Sequence, residues 1–190
     1  MMPPVAVLDA CVLYSASLRD LFMWLAAAGM YFPKWSEQIH AEWMENLLKN
    51  RPDLSRERLD RTRELMNLHA EGGLVQEYEH LIPALSLPDE NDRHVLGAAI
   101  WSNASVIVTF NLSDFPEQAL EPYGIEAQDP DAFLCNLFAE EPEAFLAALQ
   151  QMVSQLKKPT RTLEQYLNVL RNQGLENIIE RIVARQQLYH

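Results

Sequence analysis

The sequence predicts an α/β protein, with a parallel β-sheet flanked by helices over residues 3–135 and an all-α extension over residues 136–190. Three observations point there. Two compact apolar runs, Val5–Leu8 and Ser105–Phe110, read as strands, the second with the continuous apolar character of one buried on both faces. As far as about residue 135, extended and helical patterns alternate, the order that right-handed strand–helix–strand units produce. From Pro130 onward no strand signal survives and helical periodicity takes over.

Taken in order, the first strand ends directly on Asp9, and a helical pattern follows through Leu21, Phe22 and Leu25 to Gly29. Ser36 is placed to cap a helix over Glu37–Leu48, because its hydroxyl can accept a first-turn N–H. Asp53 or Ser55 can cap the next helix, which stops at Gly72-Gly73, and a weaker extended stretch starts at Leu74. Pro88 breaks the chain before a helix from about Asp92 that carries Val95, Leu96, Ala99 and Ile100. Val106, Ile107 and Val108 form the clearest strand, with Asn111 and Asp114 just beyond it. The extension divides into helices over Phe133–Phe138, Ala144–Leu156, Thr162–Asn172 and Leu175–Leu188, with breaks at Lys157-Lys158-Pro159 and Gly174.

With 48 % hydrophobic and 22 % charged residues among 190, the chain can close one sizeable core. Met1–Leu8 has no basic leader and is too short to span a bilayer, so a soluble, cytoplasmic protein without membrane association is expected. Cys11 and Cys135 form no CxxC pair and read as buried reduced thiols. The net charge of −12 argues against a general nucleic-acid binder, and it is uneven: residues 1–135 carry all of it, with 9 Lys/Arg against 21 Asp/Glu. Lys49, Arg51, Arg56, Arg58, Arg61 and Arg63 run against that trend. They form either a phosphate-contacting face or a solvated helix laced with pairs such as Glu57–Arg61 and Asp60–Arg63.

Four acids sit where an α/β sheet gathers ligands, at strand C-termini and helix starts. Asp9 closes the first strand, where it can cap the next helix or face the crevice. Glu42 lies just outside the apolar arc of its helix, with Asn46 one turn on, so it borders the core. Asp92 opens a helix beside Asp89 and Glu90, a crowding of acids that a cation would offset. Asp114 follows the buried strand in Thr109-Phe110-Asn111-Leu112-Ser113-Asp114. Each could be a cap or a turn residue alone. Together they suit a hard divalent cation, Mg²⁺ or Mn²⁺, and no His/Cys zinc spacing competes. Arg93 is a candidate phosphate contact, whereas His94 reads as a satisfied helix residue. Serine hydrolase, P-loop and dinucleotide motifs are missing from the sequence.

These pieces resemble the PIN domain, in particular the VapC-type toxin ribonucleases. Val5-Ala6-Val7-Leu8-Asp9 is similar to the family's opening strand and first acid, and Ser36 to Glu42 to the segment ending in the second. Asp92-Arg93-His94-Val95-Leu96-Gly97-Ala98-Ala99 is similar to the third, and Thr109 to Phe115 to the last. The resemblance covers roughly residues 3–135 and departs at Gly97, where the family often shows Ala. It implies a Mg²⁺- or Mn²⁺-dependent endoribonuclease with Asp9, Glu42, Asp92 and Asp114 as metal-holding acids, supported by Thr109 and Asn111. It further implies RNA as substrate, a cognate antitoxin as partner and a homodimer. The competing reading is a non-catalytic scaffold that binds RNA or protein. A magnesium-dependent phosphatase would need a second Asp two residues after the first, where this chain has Cys11.

Overall fold

The structure, a computed structural model, describes residues 2–157 and 160–187. Met1, the predicted break at Lys158-Pro159, and Leu188 at the end of the last predicted helix lie outside the described residues. The strands are β1 (Val5–Leu8), β2 (Phe32–Ser36), β3 (Leu74–Val75), β4 (Val106–Val108) and β5 (Glu126–Gln128). They pair in parallel throughout, in the order β3-β2-β1-β4-β5. Helices α1 (Ala10–Tyr14), α2 (Ala16–Ala27), α3 (Glu37–Asn50), α4 (Arg56–His69), α5 (Arg93–Trp101) and α6 (Glu117–Leu120) intervene between strands. Helices α7 (Pro130–Glu140), α8 (Pro142–Gln155), α9 (Leu163–Arg171) and α10 (Glu176–Gln187) follow. None of the described helices is long and apolar enough to cross a membrane.

The parallel sheet and the helical extension match the predicted class. The first predicted helix divides, however. Ser15 adopts extended backbone between α1 and α2, and its hydroxyl accepts the Leu18 N–H at 3.3 Å. A serine that caps the helix after it can break a helical run without Gly or Pro. Ser36 caps α3 as expected, accepting from Ile39 N–H at 3.2 Å. β2 and β5 were not predicted. In α5, Gly97 faces Tyr78, and a Cβ there would stand 3.2 Å from Tyr78 Cδ2.

Among the described residues, three of the six basic residues over 49–63 are ion-paired. Arg51 pairs with Asp53, Arg56 with Glu45 of α3, and Arg63 with Glu37 and Asp60. The predicted Asp60–Arg63 pair forms at 3.8 Å. Glu57 and Arg61 are not paired among the described residues.

One carboxylate of α7 holds the start of α10. Asp131, 5 % exposed, accepts from the backbone N–H of Asn177 (3.0 Å) and Ile178 (2.8 Å) and from Asn177 Nδ2 (2.8 Å). It thereby satisfies first-turn donors of α10 and sets a negative charge at that helix's positive end. Tyr166 OH on α9 donates to the Ser17 carbonyl at the start of α2. Replacing Asp131 with Ala leaves buried donors unpaired and should cost about 2–3 kcal/mol of stability. Urea unfolding of the variant measures it, and a cost below about 0.5 kcal/mol would mean that the contact fastens nothing.

Candidate active site

The chain lays down β1, β2 and β3 toward one side of the sheet, then returns to place β4 on the other side of β1. At such a reversal the connections leaving neighbouring strands diverge and open a crevice at the strand C-termini. Asp9 and Thr109 stand there, each one residue past its strand. The Asp9 N–H donates to the Val108 carbonyl at 3.0 Å, so the two chain ends leave the sheet together. The Asp9 carboxylate is 5 % exposed. Its Oδ1 accepts the Ala10 N–H at 2.6 Å, and its Oδ2 accepts from Thr109 Oγ1 at 2.7 Å and from the Cys11 thiol at 3.2 Å. Capping and crevice are therefore both roles of the one side chain.

A cavity of about 450 Å³ opens there, lined by Asp9, Glu42, Asp92 and Asn111 with Cys11, Tyr14, Asn46 and Asn50. A larger cavity of about 1180 Å³ lies along β5 and holds none of the four acids, so volume does not single out the site but chemistry does.

Asp92 does not cap α5. That end is prepared by Asp89, whose Oδ1 accepts the Asn91 N–H at 2.8 Å, while Asp92 makes no capping bond. Its carboxyl is left for the cavity and is pushed up to about 6, first by desolvation and then by the charges of Asp9, Asp114 and Asp89. Asp114 sits half-buried in the turn Leu112–Asp114 and does not line the cavity, yet its charge reaches Asp92. The structure thus brings Asp9, Glu42 and Asp92 to one cavity, with Asp114 behind them.

Glu42 projects from α3 with His94 of α5 beneath it. His94 Nε2 lies 2.9 Å from Glu42 Oε1, but neither ring nitrogen makes a hydrogen bond although the ring is 2 % exposed. His94 is thus not the satisfied helix residue expected of it. Arg93 is held on the outside, its Nη2 2.8 Å from Glu90 Oε2 and its Nε on the Glu90 carbonyl, and it does not line the cavity. Thr109 is fully buried, and its hydroxyl also accepts the Asn111 N–H at 3.0 Å, placing Asn111 at the cavity wall.

Cys11 lines the cavity and is only half-buried, unlike Cys135, which is buried as expected. Burial and then the Asp9 charge push its thiol up to about 12, so it stays protonated and serves as a donor to Asp9 rather than as a nucleophile. Asn50 was missed. The signal was available, since Glu42, Asn46 and Asn50 recur at every fourth residue along one face of α3.

The Asp92 proton affinity predicts a pH signature. A carboxyl raised in the folded state destabilises the fold once ionised, a penalty absent below the ordinary carboxylate range and complete above about pH 6. Without divalent metal, Asp92→Asn should raise the melting temperature at pH 7 and lose that gain toward pH 4. An unchanged or lowered melting temperature at pH 7 would refute the crowding of charge.

A PIN domain family model matches residues 5–113, and a model described as the VapC50 C-terminal domain matches residues 130–183. Asp114 falls one residue beyond the first match. A Mycobacterium tuberculosis (strain ATCC 25618 / H37Rv) protein, named as a candidate ribonuclease, VapC50, is 42 % identical over 96 residues, which cover 50 % of this chain and 56 % of the relative. The chain thus spans about half the length of the curated relative it matches. No solved structure matches it.

Proposed function

Because the chain belongs to the PIN domain family, we propose that it is a divalent-metal-dependent endoribonuclease hydrolysing RNA phosphodiester bonds, with Asp9, Glu42, Asp92 and Asp114 as its catalytic, metal-holding acids. One observation carries this reading. Asp9, Glu42 and Asp92 come from three separate elements to one cavity, and repulsion from Asp9 and Asp114 helps raise the Asp92 carboxyl to about 6. Carboxylates crowded at such a cost are relieved by a cation.

Among the described residues no three His, Cys, Asp or Glu side chains stand close enough together to hold a metal ion between them. The donor chemistry nevertheless fits Mg²⁺ or Mn²⁺, because Mg²⁺ takes one or two carboxylates directly and keeps waters and substrate phosphate for the rest. When bound, such an ion supplies an activated water and a counter-charge for the leaving 3′ oxygen. The chain's own groups do the positioning. Thr109 and the Cys11 thiol orient the Asp9 carboxylate, Asn111 presents its amide at the cavity wall, and Asn46 and Asn50 offer hydrogen bonds to a ribose–phosphate backbone. Arg93 serves as a rim cation that exchanges Glu90 for a phosphate.

The family resemblance supports placing this activity in a type II toxin–antitoxin pair, with a cognate antitoxin as partner and a cytoplasmic homodimer as the working form. The division into a catalytic part over residues 3–135 and an extension over 136–190 belongs to the same proposal. α7 is the element that joins the two.

The test is cleavage of an end-labelled structured RNA with Mg²⁺, Mn²⁺ or EDTA. Metal-dependent cutting that leaves 5′ phosphates should fall about 100-fold or more in Asp9→Asn and in Asp114→Asn. Full activity in the double variant would refute the assignment, and no cutting with either metal would favour a binding scaffold. Thr109→Val, which removes only the hydroxyl that orients Asp9, should cost about 10–100-fold in activity while circular dichroism stays unchanged.

A further inference from the structure

The cavity of about 1180 Å³ is lined by Glu126, Ala127 and Gln128 of β5 and reaches Pro4, Met30 and Val106 beyond it, and among the described residues only β4 pairs with β5. The Glu126 N–H donates to the Ser105 carbonyl, and the Gln128 carbonyl accepts the Thr109 N–H. Residues of a parallel strand alternate the side they address, so the N–H and C=O of Ala127 point away from β4. Phe115, Ile125, Phe133 and Leu137 give the cleft a buried apolar floor, and Leu112 stands 42 % exposed beside it.

The charge of the cleft is one-sided. Glu117, Glu121, Glu126, Glu140 and Glu141 line it, and among the described residues no Lys, Arg or His does. Among the described residues none of these five joins an ion pair, whereas Glu37, Glu45, Glu90 and Glu143 elsewhere each have an arginine. Edge strands are commonly guarded by shortness and charge, and β5 has both. A guard does not need an apolar-floored cleft with an open backbone pair at its centre.

We propose that this cleft docks an extended, basic segment of a partner protein. Its backbone pairs with Ala127, its apolar side chains reach the floor, and its Lys or Arg residues meet the glutamate rim. A second copy of the chain does not suit the cleft, because a two-fold pairing of β5 edges would set the same glutamates against each other. RNA is repelled by the same charges. The proposal stands apart from the nuclease reading, although the two cavities meet at the consecutive residues Asn111 and Leu112.

Fluorescence anisotropy with a labelled synthetic peptide of about ten alternating Arg and Val residues tests it, against a matched peptide with Glu in place of Arg. The Arg peptide should bind, weaken about tenfold or more in Glu117→Lys/Glu121→Lys, and protect the Ala127 amide from hydrogen exchange. The Glu peptide should not bind. Glu64→Lys/Glu71→Lys makes the same change in net charge away from the cleft and should keep the affinity. Absence of Arg-peptide binding, or equal weakening in both charge-reversed pairs, would overturn the proposal. So would a dimer in sedimentation velocity that Glu126→Lys dissociates, because the cleft would then belong to a second copy.

Discussion

β1 and β4 lie side by side, Ala6 against Val106 and Leu8 against Val108, and the carboxylate cavity takes its shape from that pairing. Two parallel strands in register end at the same level, so the residues that follow them emerge together. Asp9 and Thr109 are those residues, and one hydrogen bond between their side chains turns sheet register into side-chain placement. Glu42 reaches the same place because Ser36, at the end of the neighbouring β2, caps the helix that carries it. Asp92 arrives from α5, which packs across β1, β2 and β4. The site is thus a property of the central strands, with helices bringing the remaining groups to a position already set.

The same arrangement is unfavourable electrostatically. Removing carboxylates from water and setting them near one another both oppose ionisation, and Asp92 shows both effects. A fold keeps such a feature only where surrounding structure over-determines it. Here that structure is apolar and rigid: Trp35 and Trp43 are fully buried, and the Arg19 guanidinium lies 4.7 Å from the centre of the Trp43 ring while donating to the Leu13 carbonyl at 2.6 Å. Next to the cavity, by contrast, neither ring nitrogen of the buried His94 makes a hydrogen bond, although Nε2 stands 2.9 Å from the Glu42 carboxylate.

Much of this was legible in the sequence, for physical reasons that differ by residue. β1 and β4 announce themselves because strands buried in the middle of a parallel sheet are apolar without interruption. Asp9, Glu42, Asp92 and Asp114 could be placed because each is defined by an element boundary or a helix face. β2 and β5 could not. Phe32-Pro33-Lys34-Trp35-Ser36 mixes a proline and a charge with aromatics, and Glu126-Ala127-Gln128 is a short polar edge whose strand character comes from its neighbour β4. That Asp89 caps the turn before α5 while the Asp92 side chain makes no capping bond is likewise decided by one backbone turn. So is the contact between His94 and Glu42, which joins two helices distant in sequence.

The separation of 100 residues between Asp9 and Thr109 also has a temporal meaning. Contacts between distant parts of a chain must overcome loop-closure entropy before they contribute stability, and they form late in folding. A ribosome emits the chain from its N-terminus, so Asp9, Glu42 and Asp92 leave the exit tunnel before the strand that brings them together exists. Until Thr109 has cleared the tunnel, a growing polypeptide carries the acids without the crevice. Assembly of the cavity therefore waits for β4, after most of its acids have already been made.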